Sequence, residues 1–396
     1  MQMLKSIGMP AAFRALLCGV SLLMATLLAT PTRGNAQPTV QSERRVDLTL
    51  DIQANAALAE RIRSDLAAMQ TRLRGRLCQP LVEGLPLAGR PAGCQVGAPG
   101  RADPSLVPAV VQVVVLREGL IWRFATTHPA QFEQPWPLGS LGKAVLAVPT
   151  LARAGASAGE QWCVQALPGI RNADGSTGST NCSGPGAVTI SAVRALASSN
   201  NLATIWRLRQ LPAAHVANEL GAAGILRLPT DYHPGIAATL GMLEVTPRQA
   251  LECFDALAGG SARRAAITLR ATAAPTPMAR WCAGSTTQPA AQTFINAMLR
   301  APAEPGGTAA FVHGEAPGIE LLGAKTGTPT NDATQNTGKS LLFSFRVRQA
   351  RYTALVSVVS PRPAWALGVG LASRDLRDLV RDVVQDAQRH EALAAH

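Results

Sequence analysis

Alternation of apolar and polar residues is strongest near the two ends of the chain, where it predicts strands. Ala109–Leu116 (AVVQVVVL) and Leu120–Ala125 (LIWRFA) flank a short turn with a glycine, which is typical of a β-hairpin. Leu341–Val347 and Tyr352–Ser360 form a second pair of this kind. An earlier alternating segment, Val46–Ile52, predicts one further strand.

Helical periodicity dominates between these strands. Apolar residues recur at helical spacing over Asn55–Leu73, and the signals from about 145 to 320 are mostly helical, among them Val188–Ala197. Asp375–Arg389 predicts a C-terminal helix. The pattern predicts an α+β fold, in which an antiparallel sheet built from both chain ends is flanked by helices. The expected sheet subdomain and inserted helical subdomain comprise about 40–145 with 320–396, and about 146–319.

The first forty residues have the layout of an export signal. Lys5 and Arg14 precede an apolar run over Ala15–Thr30, and small residues at Gly34–Ala36 offer a cleavage site before Gln37. The run is shorter than the ~20 residues that a bilayer-spanning helix needs. We therefore expect a signal peptide over 1–36 and a mature domain over 37–396 in the periplasm or another extracytoplasmic space. An uncleaved membrane anchor is the alternative.

Six cysteines follow the predicted signal, an even number that favours disulfides in an exported chain. Their order suggests three local bridges, Cys78–Cys94, Cys163–Cys182 and Cys253–Cys282, among the fifteen pairings that six cysteines allow. Buried free thiols are the alternative. The sequence contains no CxxC, HxxxH or HxH, so it predicts neither a metal site nor a cofactor.

The basic residues are almost all arginines. The chain has 37 Lys+Arg against 25 Asp+Glu, a formal charge of +12, but four lysines leave 37 − 4 = 33 arginines. Lysine can lose its proton in a protein whereas arginine cannot, so a site that needs a neutral amine must keep lysine. No basic run exceeds two residues and none is interleaved with aromatic residues, which excludes a nucleic-acid-binding surface of the usual kind.

Ser140 and Lys143 lie three residues apart, just after Pro137 and Gly139, where a helix can begin. At that spacing the hydroxyl and the amine share one helix face. A desolvated lysine beside a serine can act as the base that makes the hydroxyl a nucleophile. By itself the spacing is a weak signal.

Lys325-Thr326-Gly327-Thr328 is a more specific pattern, between an apolar segment and the strand pair near the C-terminus. It predicts an edge strand whose glycine lets a substrate backbone approach and whose ammonium and hydroxyl groups bind a carboxylate. The two lysine motifs use two of only four lysines and occur in this order, which argues against coincidence.

Ser199-Asn200-Asn201 lies between the two lysine motifs and supplies a hydroxyl and an amide. A Ser-x-Asn triplet usually caps a helix, but its position here favours a functional role for Ser199 and Asn201. The overlapping triplet Ser198-Ser199-Asn200 is the alternative.

With these motifs the sequence resembles the penicillin-binding transpeptidases and serine β-lactamases, and most of all the transpeptidase domain of bifunctional class A penicillin-binding proteins. The resemblance extends from about Val46 to Ser360 and implies a β-lactamase/transpeptidase-like fold. The segments that carry it are VDLTLDIQ at 46–53, PLGSLGKA at 137–144, GAVTISAVRALASSNNLAT at 186–204, TLGMLEVTPRQALECFDALAGG at 239–260, GGTA at 306–309 and AKTGT at 324–328.

The resemblance implies a catalytic role for four of the motif residues. Ser140 would be the acylated nucleophile and Lys143 its base. Ser199 would pass a proton to the leaving amine. Asn201 would hold the substrate peptide and position Lys143.

The third motif would bind the substrate. Lys325, Thr326 and Thr328 would hold the terminal carboxylate next to Gly327. The backbone N–H groups of Ser140 and Thr328 would form an oxyanion hole.

Two positions depart from the family pattern. Gly142 stands where the family usually has phenylalanine and Ala144 where it usually has proline, which would loosen the wall beside the nucleophile. We expect no glycosyltransferase domain like the one that precedes this domain in bifunctional members, because only about ten residues separate Gln37 from VDLTLDIQ. A separate glycosyltransferase would then be a partner.

The expected function is that of an exported serine D,D-acyltransferase, a transpeptidase or carboxypeptidase, acting on peptidoglycan stem peptides and binding β-lactams such as penicillin. One alternative is a non-catalytic regulator or scaffold of cell-wall synthesis, motivated by Gly142. Another is a β-lactamase, although no glutamate between the second and third motifs has an asparagine four residues later, and neither tyrosine has one two residues later. No nucleic-acid partner is expected, and no membrane contact other than through an N-terminal anchor.

Processing of the predicted signal generates a direct test. N-terminal sequencing of the exported protein should start at or near Gln37, because cleavage follows small residues. Recovery of the chain with Met1 intact in the membrane fraction would instead identify the apolar run as an anchor.

Overall fold

Strands from both ends of the described chain form one antiparallel sheet, which confirms the predicted fold class. The computed structural model describes residues 52–78, 110–164, 182, 186–260, 275–315, 317–328, 330–331, 336–360 and 372–395. The strands are β1 Val110–Arg117, β2 Leu120–Thr126, β3 Gln161–Val164, β4 Val188–Ser191, β5 Glu320–Gly327, β6 Thr330–Asn331, β7 Asn336–Val347 and β8 Ala350–Ser360. The order in the main sheet is β2-β1-β8-β7-β5, and β6 pairs with β7.

The helices of the described residues lie before β1, between β2 and β5, and after β8. Of the strand predicted at Val46–Ile52, only Ile52 lies among the described residues, and it begins the first helix. The described α-helices are α1 Ile52–Cys78, α2 Val148–Arg153, α3 Ala192–Ala197, α4 Asn201–Arg209, α5 Ala213–Ala222, α6 Pro234–Leu240, α7 Pro247–Leu257, α8 Pro277–Ser285, α9 Pro289–Arg300, α10 Phe311–Glu315 and α11 Arg377–Leu393.

The helix predicted over Val188–Ala197 is wrong in its first half. Residues 188–191 form β4, which pairs antiparallel with β3, and α3 begins only at Ala192. The first three residues, Val-Thr-Ile, are β-branched and favour a strand, and the Ser191 side chain then caps α3 by accepting the Arg194 N–H at 3.2 Å. β4 therefore ends where α3, the helix that precedes the second motif, begins.

The sheet is buried on both faces because a core lies on each side of it. Val111, Val113 and Val115 of β1 face the core formed with α1 and α11. Val114 and Leu116 face the larger core, which is formed with the helices between β2 and β5. Burial on both faces explains why β1 is nearly all apolar rather than alternating.

An ion-pair network joins α1 and α11 to the sheet. Arg123 of β2 is 2% exposed and donates to Asp386 of α11 at 2.7 Å. Arg61 of α1 reaches the same carboxylate at 3.4 Å. These contacts place the two terminal helices side by side on the sheet face opposite the larger core.

Two of the three expected cysteine pairs are bonded. Cys163 on β3 joins Cys182, and Cys253 on α7 joins Cys282 on α8. Cys94 lies outside the described residues, so the Cys78–Cys94 bridge stays a prediction. Within the described ranges, no helix has the length and apolarity needed to cross a membrane.

Asp65 of α1 is a weak point of the fold at neutral pH. Its Oδ2 atom is buried without a hydrogen-bond partner. Burial, followed by the charges of Asp382 and Asp378, raises the pKa of the Asp65 carboxyl from 3.8 to about 6. Because the folded-state pKa is raised, ionisation of Asp65 opposes folding as the pH rises through this window.

We expect Asp65→Asn to increase the free energy of unfolding by about 1 kcal/mol at pH 7.5, after allowance for solvent screening, and to change it little at pH 4. Chemical denaturation at the two pH values measures this. Glu60→Gln is the matched control, since Glu60 on the same helix is exposed, pairs with Arg63 and should gain nothing when neutralised. A destabilised Asp65→Asn variant at pH 7.5 would contradict the expectation.

Candidate active site

Ser140 lies in a tight turn at the edge of the larger core. Gly139 before it has a φ of 52°, a left-handed conformation that glycine adopts without strain. Leu138 and Leu141 on either side of this pair are buried, so the turn is anchored by apolar side chains. A π-helical segment, Lys143–Ala147, follows and runs into α2.

The amine of Lys143 bridges the first and second motifs. Its Nζ lies 2.8 Å from the Ser140 Oγ and 2.6 Å from the Asn201 Oδ1. The side chain is fully buried, and this burial lowers the pKa of the Lys143 ammonium from 10.5 to about 7. The structure thus holds an amine that loses its proton near neutral pH within hydrogen-bonding distance of a hydroxyl.

The backbone of the second motif is strained at Ser199. Ser199 has a φ of 55°, which is uncommon for a residue with a side chain and costs about 1–3 kcal/mol. The Ser198 hydroxyl instead bonds to the Arg194 carbonyl at 2.8 Å, and the Asn200 side chain caps α4 through Ala203 N–H at 2.9 Å. The neighbours therefore serve the helices while Ser199 stays available.

Lys325 links Ser199 to the third motif. Its Nζ donates to the Ser199 Oγ at 2.9 Å and to the Thr326 carbonyl at 2.6 Å. Burial, followed by the charges of Lys143 and Lys339, lowers the pKa of Lys325 well below its usual range. The sequence interpretation placed a permanent charge here, but a buried ammonium of this kind is favoured only when an anion is close.

The third motif lies on the edge strand β5, as predicted. Thr326 donates its hydroxyl proton to Thr308 Oγ1 at 2.9 Å, which ties the GGTA segment to the motif. Gly327 packs against the serine turn, and the approach of a substrate backbone to this glycine stays a prediction. A Cβ at Gly327 would lie 2.7 Å from Leu141 Cγ and 2.9 Å from the Leu138 carbonyl oxygen, so the glycine admits the protein's own serine turn.

Gly142 does not loosen the wall beside Ser140, which corrects the expectation from sequence. A Cβ at Gly142 would lie 2.4 Å from the Ala238 carbonyl oxygen and 2.9 Å from the Gly241 Cα. Gly241 in turn has a φ of 66° and contacts the Gly139 backbone. The space that a larger side chain would occupy is filled by backbone at the end of α6.

Lys339 is a site residue to which sequence reasoning assigned no role. It lies on β7 and its Nζ donates to the Thr328 Oγ1 at 2.5 Å. The rarity of lysine was the signal that could have identified it, since three of the four lysines in the chain converge on this one site. A cluster of cationic groups beside threonine hydroxyls is suited to an anionic ligand.

The structure thus brings every residue of the three motifs to one place. One set joins Ser140, Lys143 and Asn201, and the other joins Ser199, Lys325 and the Thr326 backbone. Within the described ranges, no group of three potential ligands is placed to hold a metal ion. The arrangement offers a serine hydroxyl, an adjacent amine and a cationic anion site, which are the elements of acyl transfer to serine.

Comparisons with solved structures identify the fold. The chain is similar to the transpeptidase (TP) domain of penicillin-binding protein 3 from Burkholderia pseudomallei, with a TM-score of 0.54 and 13% identity, covering 86% of this chain and 96% of that chain. It is also similar to a peptidoglycan glycosyltransferase from Burkholderia ambifaria, with a TM-score of 0.52 and 14% identity, covering 86% and 97%. No family model and no curated protein matches the sequence.

The chain therefore has the fold of the transpeptidase domains of penicillin-binding proteins, as the motifs imply. The closer resemblance to class A members stays a prediction. At 13–14% identity the likeness concerns the fold, and the chemistry must be argued from the residues of this chain.

The glycine at position 142 generates a stability test. Gly142→Ala should lower the free energy of unfolding by about 1–3 kcal/mol, because the new Cβ meets backbone that cannot rotate away. Gly159→Ala is the matched control, since its Cβ would meet nothing within 4 Å. Thermal or chemical denaturation of both variants measures the difference. Equal stability of the two would show that the end of α6 can move aside.

Proposed function

We propose that this chain is a serine D,D-acyltransferase that acts on peptidoglycan stem peptides outside the cytoplasm and is acylated by β-lactams at Ser140. The observation that carries the proposal is the position of the Lys143 amine between Ser140 Oγ and Asn201 Oδ1, with its pKa lowered to about 7 by burial. The fold shared with penicillin-binding transpeptidase domains supports the same chemistry.

In the first step the neutral Lys143 amine takes the proton of the Ser140 hydroxyl. The oxygen attacks the penultimate carbonyl of the stem peptide, and a C–O bond forms. The developing oxyanion would be held by the backbone N–H groups of Ser140 and Thr328. The place of Gly327 against Leu138 and Leu141 supports this role, because it sets the residue before Thr328 beside the serine turn.

In the second step the C–N bond breaks and the terminal D-Ala leaves as an amine. Ser199 is suited to deliver the proton and to regain one from the Lys325 ammonium, since its hydroxyl lies 2.9 Å from Lys325 Nζ. Thr326 and Thr328 would bind the terminal carboxylate, and this negative charge would restore the proton on Lys325. An amine or water then attacks the acyl-enzyme and passes a proton through Ser199 to Lys325. The Lys143 ammonium returns its proton to the Ser140 oxygen as the ester bond breaks, which gives a cross-linked or a trimmed product.

A non-catalytic scaffold was motivated by Gly142, and the packing of Gly142 against α6 removes that motivation. Nothing in the described site favours a β-lactamase over a transpeptidase. The acyltransferase is therefore the single function proposed.

The roles of the two motif lysines generate a mutational test. Lys143→Arg should reduce acylation by a fluorescent penicillin by a factor of at least about 100, close to the loss in Ser140→Ala, because guanidinium cannot accept the proton. Lys325→Arg keeps a cation and should weaken acylation while leaving it measurable. Second-order acylation rates decide between the two roles. Equal impairment of both variants, or an active Lys143→Arg, would disprove Lys143 as the base.

The same assignment predicts the pH dependence. The native acylation rate should rise with pH and level off above about 7, because only the unprotonated amine of Lys143 can accept the serine proton. A rate that is flat from pH 5 to 9 would contradict this.

A further inference from the structure

The helix that carries Lys143 departs from α-helical geometry directly after it. Lys143–Ala147 is π-helical, and the Val148 N–H bonds to the Lys143 carbonyl five residues back. Pro149 stands four residues after Val145, where an α-helix would supply an N–H to the Val145 carbonyl. Proline has no N–H, so the sequence itself removes the α-helical partner of this carbonyl.

A buried disulfide packs against the carbonyl that Pro149 leaves without its α-helical donor. The Cys253 Sγ lies 3.4 Å and the Cys282 Sγ 4.0 Å from the Val145 carbonyl oxygen. Both cysteines are fully buried and bonded to each other, so neither sulfur has a hydrogen to donate. The contact is one of packing, in which the bridge fills the space beside the π-helical segment.

We propose that Pro149 and the Cys253–Cys282 bridge are positioning residues, which together hold the π-helical segment that directs Lys143 toward Ser140 and Asn201. The importance of this positioning for catalysis rests on the proposed function. The geometry that holds Lys143 does not depend on that function. It differs from the usual role of a disulfide, which is to stabilise the whole fold.

The geometry explains why holding the π-helical segment matters. A π-bulge contains one residue more than the α-helix that would replace it, and one residue corresponds to about 100° of rotation. Without the bulge, Lys143 would be rotated by about 100° around the helix axis relative to α2. Arg153 fixes the far end of α2 by donating to Ser285 Oγ and the Trp281 carbonyl of α8, both at 2.8 Å. Because α2 is held at its far end, a loss of the bulge would move Lys143 rather than α2.

The second bridge provides a matched control. Cys163–Cys182 joins β3 to an exposed residue, and the contact recorded for Cys182 Sγ is with the Val188 carbonyl of β4 at 3.9 Å. Removing it deletes the same chemical link at a distance from Val145. A purely stabilising role would make the two bridge deletions alike in their effect on Lys143.

The experiment compares three variants of the full chain: Cys253→Ala/Cys282→Ala, Cys163→Ala/Cys182→Ala and Pro149→Ala. Carbon-13 labelling at lysine Cε gives at most four signals, so the titration of Lys143 can be followed directly by NMR. Ser140 and Asn201 are the polar groups that contact this amine, and Lys325 is the titratable group that interacts with it. The second-order rate of acylation by penicillin is the other readout.

We expect the Lys143 midpoint to rise from about 7 by at least one pH unit in Pro149→Ala and in the Cys253→Ala/Cys282→Ala variant, because a displaced amine is better hydrated. Acylation at pH 7 should fall at least about fivefold in both, because a one-unit rise lowers the neutral fraction of the amine from about one half to about one tenth. The Cys163→Ala/Cys182→Ala variant should lower Tm and leave the midpoint unchanged.

An unchanged Lys143 midpoint in the folded Pro149→Ala and Cys253→Ala/Cys282→Ala variants would overturn the inference. Should the bridge deletion fail to fold, Pro149→Ala decides alone, since alanine is tolerated in a helix. If penicillin does not acylate the native chain but the Lys143 midpoint still shifts in these two variants, the proposed function is refuted and the positioning role is supported.

Discussion

The site depends on keeping the amine of Lys143 out of water. A buried ammonium is unfavourable unless an anion compensates it, and the oxygen facing Lys143 from α4 belongs to the neutral amide of Asn201. A carboxylate in that position would stabilise the proton on the amine and prevent it from acting as a base. The choice of asparagine thus matters as much as the choice of lysine.

This requirement explains much of the surrounding structure. Dry surroundings at Lys143 need a packed core, and the larger core supplies it with side chains from the sheet and the inserted helices. Bringing Ser199 to Lys325 needs a left-handed backbone at a residue with a side chain. Side-chain hydrogen bonds of Ser198 and Asn200 cap the helices before and after the motif and help to offset this strain.

Local patterns sufficed to predict the strand pairs at both ends and the three motifs. The interpretation failed where long-range packing decides the outcome. Val188–Ser191 contains apolar residues that fit either period, and pairing with β3 makes it a strand. The neighbour of Gly142 comes from α6, about a hundred positions away, and the contact of Lys339 with Thr328 requires the register of two strands. No short window of sequence contains this information.

The glycines around Ser140 have a consequence for how such a site can diversify. Gly142, Gly241 and Gly327 bring main chain against main chain or against the serine turn, so a side chain at any of these positions would have to displace its neighbours. A change of substrate would then have to come from side chains outside these contacts, such as Lys339, which meets Thr328, or Met242, which follows Gly241 and is 59% exposed. The shape of the main chain around Ser140 is thus the least substitutable part of the site.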